Sequence, residues 1–133
     1  KATGVVTTTR VTHASPAANY AHSASRKWEH DTNGTKCEDI ASQLVFGETG
    51  KNINVVLGGG RREFLPQMPH ERESGLRNDR INLVKSWIEE KHKRRERANY
   101  VTTKEELMKL NDSHTNFVLG LFSHDHLEYN LDK

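Results

Sequence analysis

Apolar positions in this chain alternate between two periodicities. The run GVVTTTRV, residues 4–11, is β-branched at most positions behind a glycine and predicts a buried strand. Ser15-Pro16 is a helix-start signal, a favoured cap followed by a residue suited to the first turn, and predicts a helix through PAANYAHSA. Residues 29–36, EHDTNGTK, have the composition of a loop. In CEDIASQLVF, residues 37–46, Ile40, Leu44 and Val45 share one helical face and Gly47 closes the segment. INVVL, residues 53–57, is a second short strand running into GGGRR, and residues 66–82, with Pro66, Pro69 and many charges, form a long excursion. In INLVKSWIEEKHKRRER, residues 81–97, Leu83, Val84, Trp87 and Ile88 form one stripe of a helix whose C-terminal half is charged. ANYV, residues 98–101, is a third strand, Thr102 or Thr103 caps the helix KEELMKL, and NFVLGLF, residues 116–122, is a fourth strand.

Strands and helices in alternation predict an α/β layer on a largely parallel sheet, with ligand sites at the carboxyl ends of the strands. His13, Ser15 and the lone Arg26 follow such an end. No internal repeat or low-complexity tract interrupts the order.

Composition sets limits on this picture. The 133 residues are 33% hydrophobic and 29% charged, enough for one domain with a modest core. Twenty Lys and Arg against 18 Asp and Glu leave a net charge of +2, which argues against a strongly cationic binder. No apolar run approaches the roughly 20 residues that span a bilayer. The start Lys1-Ala2-Thr3 lacks a signal-peptide core and an initiating methionine, so a processed chain or an internal piece is expected. Cys37, the single cysteine, is either a buried thiol or has its partner outside the chain.

Each candidate group has a structural reading beside a chemical one. The Ser15 hydroxyl caps a helix, or ligates a hard cation such as Mg²⁺ with its second lone pair. His13 is a hydrogen-bonded turn histidine, or holds a metal-bound water or phosphate oxygen. Arg26 is a surface residue, or grips a phosphate with two parallel donors, which lysine cannot copy. LGGGRR, residues 57–62, lacks the Gly-Lys-Ser/Thr ending of a P-loop; it is a strand-exit turn, or presents backbone N–H groups to phosphate. His124, Asp125 and His126 in SHDHLE suggest zinc, but a metal site needs three or four converging ligands. KHKRRER, residues 91–97, lacks interleaved aromatics and predicts a solvated helix face rather than a nucleic-acid contact. Asn33-Gly34-Thr35 and Asn111-Asp112-Ser113 match the glycosylation triplet, which matters in a secreted protein. No Gly-x-Ser-x-Gly elbow or Ser-His-Asp arrangement is present. Two non-enzymatic readings therefore stand as alternatives: a phosphate- or nucleotide-binding α/β module using GGGRR, and a basic nucleic-acid interaction domain using residues 91–97.

The blocks GVVTTTRVTHASPAANYAHSASRKW, CEDIASQL, INVVLGGGRREFLP, LRNDRINLVKSW and LGLFSHDHLEYNL resemble, in order and approximate spacing, animal alkaline phosphatases of the invertebrate type. The likeness runs from Gly4 to about Leu131. It implies a partial parallel-sheet sandwich of the alkaline phosphatase type, with residues 1–133 as an internal fragment of a single, incomplete catalytic domain. The family hydrolyses phosphate monoesters through a phosphoserine intermediate, with two Zn²⁺ and one Mg²⁺. By resemblance, Ser15 is the hydroxyl ligand of Mg²⁺, His13 stands beside that ion, and Arg26 clamps two phosphate oxygens. Cys37 matches a cysteine whose disulfide partner lies upstream. Mammalian members carry a Ca²⁺ site, for which Phe122 and either Glu71 or Glu73 are the counterparts here; Ser123 stands where those members have glutamate. The nucleophilic serine, the zinc ligands and the magnesium glutamate are expected outside this sequence, so the isolated chain is expected to be inactive. Homodimerisation, no nucleic-acid partner, and a secreted or lipid-anchored cell-surface location are further implications of the family.

Overall fold

The computed structural model describes residues 1–129, so the last two residues of the final matching block lie outside it. Its regular elements are β1 (Gly4–Arg10), α1 (Ala14–Ala17), α2 (Ile40–Phe46), β2 (Val55–Gly59), α3 (Leu83–Lys93), β3 (Ala98–Val101), α4 (Lys104–Met108) and β4 (Phe117–Leu121). The strands form one sheet in the order β1-β2-β4-β3, and every pair is parallel. The α/β expectation holds. All four carboxyl ends therefore lie on one edge of the sheet, where His13, Arg61 and Ser123 follow their strands.

The inner strands explain the apolar runs. Every position of β4 is buried, and Val56 of β2 pairs in register with Leu119. Leu44 and Val45 of α2 and Leu83 and Trp87 of α3 join Leu119, Leu121 and Phe64 in one core cluster. Full burial of each such side chain contributes about 1.5–3 kcal/mol. The predicted faces of both helices are the ones that pack. Asp39 caps α2 by accepting from Ser42 N–H at 2.8 Å, and Thr103, not Thr102, forms a reciprocal capping box with Glu106.

Two expectations need correction. Within the sheet of the described residues β1 has one neighbour and is not buried on both faces: its outer positions alternate with inner ones, and Val6 is 73% exposed. The first helix is one turn, capped at His13 without a side-chain hydrogen bond, so Ser15 is an exposed helical residue and not its cap. The turn stops at Ala17 because neighbouring side chains compete for its backbone. Asn19 donates to the Ser15 and Pro16 carbonyls, while Tyr20 turns inward and donates to the Val11 carbonyl at 2.8 Å.

Arg77 anchors the proline-containing excursion. Its guanidinium, 1% exposed, donates to both Asp39 oxygens at 3.1 and 2.9 Å, to Asp79, and to the Glu63 carbonyl at 3.3 Å. Burial works against the cation, yet Asp39 and Asp79 hold its pKa above the ordinary arginine value. Removing one partner of such a buried pair costs about 3–5 kcal/mol, because the other is left uncompensated.

The basic run 91–97 is not a uniformly solvated face. Lys91 has no exposed surface, its Nζ lies 4.3 Å from the Phe117 ring centroid, and it donates to the Lys51 carbonyl. Arg94 shares that carbonyl at 2.9 Å and lies over the same ring. Burial pushes the Lys91 ammonium down to about 8. An amine with a folded pKa below its unfolded one opposes folding while charged, so this opposition fades as pH rises through 8. Between pH 8 and 10, urea midpoints of the chain should gain a rising contribution that Lys91→Met lacks. Parallel pH dependence in the two proteins would refute this account of Lys91.

Candidate phosphate-binding site at the carboxyl ends of the strands

β1 ends at Arg10, and the chain turns through buried Val11 and Thr12 to half-buried His13. Arg26 lies on the loop that follows α1. That loop is held from behind: the Trp28 and Glu29 carbonyls accept from the Ile40 and Ala41 N–H groups at 2.8 and 3.0 Å. The unpaired donors at the start of α2 are thereby satisfied. Arg26 reaches back so that its Nη2 lies 3.3 Å from His13 Nε2. Burial lowers the His13 pKa, and the Arg10 charge lowers it further. A neutral ring keeps one nitrogen lone pair with which to accept from Arg26. The remaining guanidinium surface is exposed. Ser15 is exposed two residues after His13, and its Oγ makes no hydrogen bond among the described residues. Of the three residues singled out in the sequence, the structure brings His13 and Arg26 into contact at the end of β1, with Ser15 exposed on the helical turn that follows.

A charged network that the sequence did not disclose lies behind them. Arg10 Nε and Nη2 donate to the two Glu29 oxygens, each at 2.8 Å, and Nη1 donates to Asp125 at 2.8 Å. Thr12 Oγ1 donates to Glu29 at 2.6 Å. Burial alone would raise the Glu29 pKa, but the Arg10 and Thr12 hydrogen bonds outweigh it and hold the group below the usual carboxylate range. Arg62 pairs with Asp125 and with Glu63, whose other oxygen lies 2.5 Å from His30 Nδ1. That carboxylate raises the His30 pKa. Only a strand-terminal position marked Arg10 in advance; Glu29 and Glu63 sat in segments that read as loop and turn.

The backbone donors of the glycine-rich turn are spent within the chain. Gly60 N–H donates to the Ser123 and Asp125 carbonyls at 3.1 and 2.9 Å, Arg61 N–H to Ser123, and Arg62 N–H to His124. A Cβ on Gly59 would lie 2.1 Å from the Asp125 carbonyl oxygen, so the close approach requires glycine. The donors that the phosphate-module alternative needs are occupied by the loop after β4. The basic-domain alternative loses Lys91 and Arg94 to packing against Phe117.

Among the described residues, no three His, Cys, Asp or Glu side chains converge as a cation site. His124 is exposed and points to no shared ligand set, while His126 has Nδ1 at 3.0 Å from Arg10 N and Nε2 at 2.7 Å from Arg10 Nη1. That pair does not fit zinc. Glu73 pairs with Arg61 Nη1 at 2.8 Å, Glu71 is exposed, and Ser123 donates its hydroxyl to the His126 carbonyl at 2.9 Å. Phe122 is half-buried. The uncommitted Ser15 hydroxyl does fit as one hard oxygen donor to Mg²⁺. Cys37 is exposed among the described residues.

Known proteins share both the sequence pattern and the fold. A sequence profile of the alkaline phosphatase family matches residues 1–133. A membrane-bound alkaline phosphatase of Bombyx mori is 44% identical over 97% of this chain and 25% of that protein. The tissue-nonspecific isozyme of Gallus gallus is 42% identical over 100% of this chain and 28% of that protein. The chain thus spans about a quarter of the length of these relatives. Among solved structures, Thermus thermophilus alkaline phosphatase superposes with a TM-score of 0.69 and 31% identity, over 99% of this chain and 22% of that one. The sheet described here is accordingly part of a larger domain in that structure, and the chain belongs to the alkaline phosphatase family.

Proposed function

We propose that this chain contributes the phosphate-binding arginine and one magnesium ligand to a phosphate monoesterase that works through a phosphoserine intermediate. The single observation that carries this reading is the pairing of exposed Arg26 with His13 at the carboxyl end of β1. A guanidinium offers two parallel donors to two phosphate oxygens, and a partner on one edge fixes its plane before substrate arrives. His13 accepts from Arg26 and would orient water around a cation held by Ser15. Ser15 supplies a neutral oxygen donor. When bound, Zn²⁺ and Mg²⁺ activate the nucleophile and neutralise charge on the transferring phosphoryl group.

The nucleophilic serine and the zinc ligands are assigned to segments of the longer phosphatase. The isolated chain should therefore show no turnover of a chromogenic phosphate ester with Zn²⁺ and Mg²⁺ present; robust turnover would overturn this division of labour. The exposed Cys37 thiol is accessible to a disulfide partner elsewhere in that protein. Asn33 and Asn111 are likewise exposed and open to glycosylation. A cell-surface or secreted location suits these features, as does the membrane-bound silkworm relative. Phosphate monoesters are the substrate class, and a homodimer is the expected assembly.

In the longer phosphatase, Arg26→Ala should raise the inhibition constant of inorganic phosphate about 10- to 100-fold, the loss expected for a charge-assisted, two-pronged contact. Unchanged product inhibition would remove Arg26 from the site. Ser15→Ala should shift the magnesium activation curve to higher concentration while leaving phosphate inhibition nearly intact. An unmoved curve would show that the hydroxyl is not a ligand.

A further inference from the structure

Arg10 has no role in the phosphate contacts assigned above, yet it joins the three segments that meet behind them. Its side chain is 14% exposed. One edge of the guanidinium is held by both oxygens of Glu29, three residues beyond Arg26. Glu29 also takes the hydroxyl of Thr12, the residue before His13. The opposite edge reaches the loop after β4, where Nη1 donates to Asp125 at 2.8 Å; His126 Nδ1 accepts from the Arg10 backbone N–H at 3.0 Å, which leaves Nε2, 2.7 Å from Nη1, no part as a second acceptor. The His126 ring in turn meets the His13 ring edge-on, with centroids 5.1 Å apart at 81°.

The loop that carries His126 is itself firmly placed. Its carbonyls take the Gly60, Arg61 and Arg62 N–H groups, and the next residue, Leu127, donates to the Thr8 carbonyl at 2.9 Å. His126 is thus a fixed wall for the His13 ring, and the Arg10 guanidinium reaches the same loop through the Asp125 carboxylate beside it. Glu29 fixes the Arg26 loop from the other direction. A planar fork with donors on two edges can hold both at once; an ammonium group cannot.

We propose that Arg10, acting through the loop of Asp125 and His126 and through Glu29, is a positioning residue that holds His13 and Arg26 in the geometry that grips phosphate. The proposal rests on the clamp reading of Arg26. It differs from simple charge neutralisation of Glu29 and Asp125, which a lysine would preserve. Arg10→Lys therefore separates the two: charge stays and the two-edged fork is lost.

In the longer phosphatase, Arg10→Lys should raise KM and the Kd of inorganic phosphate together by about tenfold, with a smaller change in kcat, since misplaced binding groups cost affinity steeply. His126→Ala leaves the Arg10–Glu29 pair intact and should raise the same two constants by about threefold. In the ¹⁵N-labelled 133-residue chain, relaxation of the Arg26 Nε–H should report greater mobility in both variants. A folded Arg10→Lys protein with unchanged phosphate affinity and an equally ordered Arg26 overturns the proposal. If Arg10→Lys does not fold, unchanged affinity and Arg26 order in His126→Ala overturn it instead. Arg26→Ala is the control: if it too leaves phosphate affinity unchanged, the clamp reading itself falls. If Arg26→Ala weakens phosphate while the other variants are silent, only the positioning role falls.

Discussion

The carboxyl edge of this sheet depends on the pairing of Arg10 with Glu29. Glu29 is 8% exposed, and an ionised carboxylate at that depth is tolerated only with a partner that supplies both charge and directed donors. Arg10 does this with two parallel bonds, so the end of β1 and the loop carrying Arg26 cannot move independently. The same guanidinium reaches Asp125, and through Arg62 the network extends to Glu63 and His30. Four chain segments with little apolar surface of their own are thereby joined by electrostatics at the place where the sheet leaves them. The apolar core below fixes the strands; this network fixes the loops beyond their ends.

The strands were legible in the sequence because their signal is local. β-branched and apolar runs bounded by turn residues marked β1, β2, β3 and β4, and helical spacing of Ile40, Leu44 and Val45 marked the buried face of α2. The extent of α1 was not legible, because past Ala17 the Asn19 side chain takes α1 carbonyls and Tyr20 reaches back to Val11, contacts that no propensity encodes. Nor did composition reveal that β1 has one neighbour in the sheet of the described residues, since a β-branched strand reads the same with one neighbour or two. Within the site, His13, Ser15 and Arg26 stood out through position and family resemblance. Arg10 and Glu29 did not, and Asp125 stood out only as a possible zinc neighbour, because their importance comes from pairing across as many as 115 positions.

Arg77 and Lys91 show the same limit in the body of the fold. Both belong to charged stretches, an excursion and a helix tail, that composition assigns to solvent. Arg77 is buried because Asp39, Asp79 and a backbone carbonyl together saturate its donors. Lys91 is buried because Trp87, Phe117 and the Lys51 carbonyl form a polarisable, partly polar socket at the end of α3. A cation enters a protein interior when its neighbours replace water, and those neighbours come from elements 40 or more positions away in the case of Lys51.

The outward side of β1 carries a different consequence. A strand with one neighbour presents a row of backbone donors and acceptors, and here the row is accompanied by the isopropyl group of Val6 and by threonines of high sheet propensity. Studied by itself, such a surface is a template on which a second copy can add its own β1. Concentration would then become a variable in any measurement on the isolated polypeptide, and colloidal behaviour rather than folding would set its working range.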